Sequence, residues 1–93
     1  MEFEWDAAKE ELNILKHGVS FSEAASAFWD PNGFVLEDRM HSSEETRYYH
    51  VGMSRNERVL TTRFTYRHEI IRIIGSAEWR KFRRLYYERT QTE

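Results

Sequence analysis

The stretch Asp38-Arg39-Met40-His41-Ser42-Ser43-Glu44-Glu45-Thr46-Arg47 packs an imidazole, several carboxylates and two guanidinium groups into ten residues. Histidine exchanges a proton near neutral pH, and a carboxylate beside it can orient the ring or share the work. This is the usual material of general acid–base chemistry. His41 and Glu45 are therefore the acid–base candidates. Arg47, followed by Arg63, Arg67 and Arg72, adds planar cations whose donor fork matches a phosphate. Arg72 sits between Ile71 and Ile73, where a cation needs a reason: an ion pair with Glu37 or Glu69 across a sheet, or a phosphate ligand. Lys9, Asn13 and Lys16 recur at helical spacing, and His17 follows at a helix C-terminus, where the negative end of the dipole favours a cation. Arg80, Lys81, Arg83, Arg84 and Arg89 make the last helix basic. Each group also has an ordinary explanation as a solvated face or a local ion pair.

Metal and cofactor chemistry finds little support. The chain has no cysteine and no pair of histidines at helical spacing, so thiolate and zincin-type ligand sets are not available. Glycine-rich phosphate loops, a nucleophile elbow and a dinucleotide fingerprint are also missing. The expected catalyst uses side chains alone, with no cofactor.

The elements that must position these residues follow from periodicity. Phe3-Glu4-Trp5 reads as a short opening strand or an extended lead-in. Asp6 is an N-cap for a helix running to about Lys16, with Trp5, Ala8, Leu12 and Leu15 on its apolar face and Gly18 closing it. Ser20 with Glu23 forms a capping box for a second helix through Phe28, and Asp30-Pro31-Asn32-Gly33 turns the chain. From Phe34 the period changes to two. Strands are expected over Phe34–Met40, Arg47–Val51, Arg58–Tyr66 and Glu69–Ile74, with Ser54–Glu57 and Arg67-His68 as turns. Ser76 is then expected to cap a final helix with Trp79, Phe82 and Tyr86 on its apolar face. The pattern predicts an α+β domain over 1–93: two N-terminal helices, an antiparallel sheet of four strands or more, and a C-terminal helix. Leu12, Leu15, Phe21, Phe28, Trp79 and Phe82 are expected to pack on the sheet as one core.

Ninety-three residues hold one core, and 40% hydrophobic content is enough to build it. No run approaches the roughly 20 apolar residues needed to span a bilayer, and the acidic start lacks a signal-peptide plan. The expected location is cytoplasmic. Net charge is only −2, but its distribution is uneven. Residues 1–53 hold four Lys/Arg against eleven Asp/Glu, and residues 54–93 hold ten against five. A basic second half can create a local positive field over part of the surface.

The order Phe3-Glu4-Trp5-Asp6, Lys9, Asn13, Lys16-His17-Gly18-Val19-Ser20-Phe21, Glu23-Ala24, Phe28 and Asp30-Pro31 resembles the opening signature of the BrnT toxins. The similarity continues through Asp38, His41, Glu45, Arg47, Gly52, Thr65, Arg67 and Ile71-Arg72-Ile73-Ile74. Many members follow those isoleucines with Ser-Ala-Arg. Here the segment is Gly75-Ser76-Ala77, with Ala77 in the arginine's place and Arg80 or Arg84 further along to substitute for it. The resemblance implies a RelE-like fold and a metal-independent endoribonuclease that inhibits translation. It also implies a BrnA-like antitoxin with a ribbon-helix-helix DNA-binding domain, operator contact only through that antitoxin, and room for a toxin dimer in the complex. On that reading His41, Glu45, Arg47, Arg67 and Arg72 are catalytic, and Lys16, His17, Arg63, Arg80 and Arg84 contact RNA. The antitoxin is expected on the basic face around Arg80 and Arg84. The alternative is a non-catalytic binding module that sequesters a protein or nucleic acid.

Overall fold

The computed structural model describes residues 1–91. The chain opens with β1 (Phe3–Glu4), and Asp6 then caps α1 (Ala7–His17) by accepting the Lys9 N–H at 3.0 Å. Gly18 ends α1 at φ 67°, a left-handed conformation that costs glycine nothing. Ser20 caps α2 (Phe21–Ser26), which tightens into a 3₁₀ turn at Ala27–Trp29. Strands β2 (Phe34–Glu37), β3 (Tyr48–Met53), β4 (Val59–Arg67) and β5 (Ile70–Ala77) follow, then α3 (Arg80–Thr90). The element order is the one periodicity predicts.

The sheet has five strands in the order β1-β5-β4-β3-β2 and is mixed. β2 to β5 form an antiparallel meander, and β1 adds a parallel pair to the outer edge of β5, with Phe3 opposite Ile71 and Glu4 opposite Arg72. The expected all-antiparallel sheet is thus corrected by its first strand. His68 and Glu69, both at positive φ, make the two-residue turn between β4 and β5, a geometry matched to strand twist.

Helices cover both faces. Phe21 and Ala24 of α2 pack with Phe64, Ile71 and Ile73, joined by Phe3, Trp5 and Phe28. On the other face Tyr86 of α3 packs with Val51 and Val59, joined by Phe34, Met53 and Phe82. There are two apolar clusters where one was expected, because β3 sends His50 to the first face and Tyr49 and Val51 to the second. At Gly52 an added Cβ would lie 2.8 Å from the Ala27 carbonyl, so the missing side chain lets the 3₁₀ turn sit directly on β3.

Three local expectations are overturned. The first concerns the face of α1. Leu12 and Leu15 are 57% and 82% exposed, while Asn13, from the polar stripe, is buried. Asn13 Nδ2 donates to the carbonyls of Val19 and Ser76, both at 2.9 Å, and its Oδ1 accepts the Ser76 N–H at 3.1 Å. Beyond the two-residue reach of β1, the β5 edge needs partners, and this amide supplies them as a strand would. Satisfying buried backbone groups outweighs burying two leucines. The second concerns Ser76, which lies inside β5 with its hydroxyl 2.9 Å from Thr62 Oγ1 and caps nothing; α3 begins after Trp79. The third is β2, which stops at Glu37. Asp38 N–H bonds the Arg47 carbonyl, and Ser42 Oγ donates to the Asp38 carbonyl at 2.6 Å, closing a compact loop that leaves Met40 91% exposed.

The Ser20/Glu23 box forms by half. Ser20 accepts the Glu23 N–H, but the Glu23 carboxylate is buried and goes to Arg58 Nε at 2.9 Å and Ser54 Oγ at 2.7 Å. Arg58, before Ser54, leads this carboxyl's hydrogen bonding and holds its pKa at about 2 against the opposing effect of burial.

Inverting the face of α1 predicts an inverted mutational pattern. Leu12→Ala should change unfolding free energy by no more than about 0.5 kcal/mol, as for a surface site. Asn13→Ala should cost about 2 kcal/mol or more, since three buried backbone groups lose their partner. Denaturant unfolding of the two variants checks this, and a larger loss at Leu12 would contradict it.

Candidate active site

The buried Asp38 carboxylate organises the turn that follows β2. His41, three residues on in the 3₁₀ turn Arg39–His41, sets its Nδ1 2.9 and 3.1 Å from the two carboxylate oxygens. Arg63 of β4 brings its Nε within 3.4 Å of Asp38 Oδ2 as an ion pair. The buried Nε–H has no hydrogen-bond acceptor among the described residues. Arg63 Nη2 donates to the Tyr49 hydroxyl at 3.3 Å, and the guanidinium lies 5.6 Å from the Tyr49 ring centre. Burial pushes the Asp38 carboxyl up, but the hydrogen bond and charge of His41, then Tyr49 and Arg63, outweigh it and hold the group below the usual carboxylate range. Asp38 therefore stays ionised and fixes the His41 ring by Nδ1. The half-exposed ring lines the cleft beside Tyr49 and Trp79.

A second cleft, about 260 Å³, opens on the other side of Tyr49 and Trp79. Its walls are Lys9, Asn13, Lys16 and His17 from α1, with Arg63, Thr61 and Gly75 from the sheet. The Asn13 clamp sets the gap between α1 and β5, and the gap is lined by cations. Tyr49, Trp79 and Phe82 form an aromatic wall between the clefts, with ring centres 5.4 to 5.9 Å apart. The arrangement offers imidazoles, the cations Lys9, Lys16 and Arg63, and stacking surface along two adjoining clefts. That suits a phosphodiester chain with bases.

The other sequence-derived candidates lie elsewhere. Glu45 pairs with Arg67 at 3.3 Å and, with Arg47 and Ser43, lines a separate pocket on the same loop. Arg72 pairs with Glu4 at 3.3 Å, so its carboxylate partner is on β1 and is neither Glu37 nor Glu69. Arg80 and Arg84 are exposed on α3 and line none of these pockets. Ala77 is buried at the end of β5. Sequence reasoning singled out Lys9 on the polar stripe of α1 but passed over Asp38 as a positioning group, and Tyr49 and Trp79 as cleft walls. Asp38 is detectable as a carboxylate three residues before a histidine; the others gave no signal, because tertiary pairing alone brings them together. Among the described residues no cluster of three or more His, Asp or Glu is placed to hold a metal, and no helix is long and apolar enough to cross a membrane.

The fold matches a known class. The sequence profile described as "Ribonuclease toxin, BrnT, of type II toxin-antitoxin system" matches residues 5–82. The chain belongs to this family of ribonuclease toxins, whose type II systems pair each toxin with an antitoxin. Among solved structures, the 1.1 Å crystal structure of the Brucella abortus ribonuclease toxin BrnT superposes with a TM-score of 0.63. It is 20% identical, and the match covers 85% of this chain and 96% of that one. At that identity the likeness is one of fold, and it extends to the mixed sheet and three helices. No curated protein sequence matches the chain.

The Asp38–His41 contact makes a prediction independent of activity. Asp38 should hold the neutral His41 ring in its Nδ1–H tautomer. Asp38→Asn should then shift the ring nitrogen NMR signals toward a mixture of tautomers and lower stability by about 1–3 kcal/mol. Unchanged ring signals would mean that Asp38 does not orient His41.

Proposed function

We propose that the protein is a metal-independent endoribonuclease whose active centre is the pair of adjoining clefts around Asp38, His41 and Arg63. The observation that carries this reading is the buried, ionised Asp38, which holds His41 in one cleft and pairs with Arg63, a wall of the adjoining cation-lined cleft. Cleaving RNA without a metal requires a base for the 2′-hydroxyl, cations on the scissile phosphate and an acid for the departing 5′-oxygen. His41 Nε2 takes the 2′-hydroxyl proton, and the 2′-oxygen attacks phosphorus. The Arg63 guanidinium, which lines the cleft, receives with Lys9 and Lys16 the negative charge that builds on the phosphate oxygens. His17, which lines the adjoining cleft, gives its proton to the 5′-oxygen as the P–O bond breaks. The products are a 2′,3′-cyclic phosphate and a 5′-hydroxyl end. Glu45, Arg47, Arg67 and Arg72 enter in a supporting place, because Arg67 and Arg72 already hold carboxylates and reach a phosphate only on leaving them. Arg80 and Arg84 extend the positive field for the flanking RNA.

Two helices ahead of the β2–β5 meander and a closing helix favour a RelE-like arrangement, and RNA cleavage in the cytoplasm would stop translation. The neutralising partner is a BrnA-like antitoxin with a ribbon-helix-helix domain, through which the pair contacts its operator.

Purified protein should cut RNA in EDTA, leaving cyclic phosphate ends, and His41→Ala should lower single-turnover cleavage by about 10²-fold or more. Arg72→Ala measured on the same footing separates its roles. A protein that melts early but cuts normally makes Arg72 structural, and one that melts normally but cuts slowly makes it catalytic. Cleavage that needs added metal, or survives His41→Ala, would refute the mechanism.

A further inference from the structure

The Asn13 clamp turns α1 polar side in, and its apolar stripe of Ala8, Leu12 and Leu15 faces water. Leu12 and Leu15 are 57% and 82% exposed, and Ala8 is exposed beside them. Two leucines one turn apart on a helix are normally buried, so a stripe left bare by its own sheet awaits another surface. Lys9 and Lys16 flank it on the side facing the groove, and Lys16 has no ion pair among the described residues. Leu12 belongs both to the stripe and to the rim of the groove, so the two surfaces are continuous.

Aliphatic side chains add nothing to phosphate recognition, which draws on cations and stacking rings. A polypeptide that lays apolar residues on Ala8, Leu12 and Leu15 and acidic residues on Lys9 and Lys16 uses the whole surface. A second copy fits poorly, because two such helices packed antiparallel set the Lys9/Lys16 flank against itself. We infer that the antitoxin docks on α1 through a segment combining aliphatic residues with Asp or Glu, and that it inhibits by running from the Leu12/Leu15 stripe over the mouth of the groove. This rests on the family's antitoxin partnership and names the surface and chemistry by which it is met. It differs from docking around Arg80 and Arg84, which lie on α3 and not on α1.

The test uses the full chain, the antitoxin encoded in the same operon, and a fluorescent 2′-O-methyl RNA that binds without being cut. Leu15→Gln and Ala8→Gln/Leu15→Gln alter exposed positions outside the groove, so RNA binding and cleavage should match the unmodified protein. Antitoxin affinity should fall at least 10-fold in the single variant and further in the double. The antitoxin should displace the RNA probe from the unmodified protein. Unchanged antitoxin affinity in the double variant overturns the proposal, as does a loss of RNA binding that spares the antitoxin. Sedimentation showing a free dimer that Leu15→Gln dissociates assigns the stripe to a second copy and also overturns it. Should the unmodified protein fail to cut RNA, the ribonuclease mechanism falls while the affinity comparison still decides the docking surface.

Discussion

The contact on which the rest of the molecule depends is the Asn13 side-chain amide against the backbone of Ser76 and Val19. A sheet edge presents unpaired donors and acceptors, which must be paired or exposed. β1 covers the β5 edge only opposite Ile71 and Arg72, and one amide covers the next gap by matching both an N–H and a C=O. Because the amide must point inward, the orientation of α1 is fixed. Lys9, Lys16 and His17 then hang over the groove, and Leu12 and Leu15 turn to water. Packing of α1, the shape of the groove and the exposed stripe all follow from the placement of one polar residue.

Charge is distributed to match. Inward-facing carboxylates are each compensated: Glu23 by Arg58, Asp38 by His41 and Arg63, and Asp30 by the Tyr86 hydroxyl at 2.5 Å and the Met53 N–H at 2.7 Å. Such pairs add little net stability but specify one arrangement, because losing a partner strands a buried charge. The Asp30 contact ties the turn before β2 to α3, and Glu23 ties α2 to the β3–β4 turn through Arg58 and Ser54. With these carboxylates committed, the Lys9 and Lys16 ammonium groups stay available along the groove. A chain of slightly negative net charge thereby keeps a positive cleft.

Much of the fold was legible because local signals agreed. Asp6, Gly18, Ser20 and Asp30–Gly33 do the capping and turning their types suggest, and the alternation in β3 and β4 gives the sheet. The face of α1 was not legible. Its apolar spacing is regular, and nothing local reveals that Asn13 is needed at a strand edge sixty-three residues away in sequence. The end of β5 was misread for a related reason: Ser76 is a good cap by type, but pairing with Thr62 and Asn13 keeps it extended. At the site, the loop 38–47 and Lys16, His17 and Arg63 were found from residue type. Which of them share a groove depends on the bend of that loop around Ser42. The bend sends Asp38 and His41 to one side, and Glu45, Arg47 and Arg67 line a pocket of their own.

The central claim is that RNA lies in the groove between α1, β4 and the 38–41 turn. Titrating ¹⁵N-labelled protein with a 2′-O-methyl oligoribonucleotide, which binds but lacks the nucleophilic hydroxyl, tests it directly. Shift changes should centre on Lys16, His17, His41, Arg63 and Trp79 and fade toward Glu45 and Arg67. Changes centred on Glu45, Arg47 and Arg67, with the α1 signals unmoved, would place the RNA elsewhere and contradict the account.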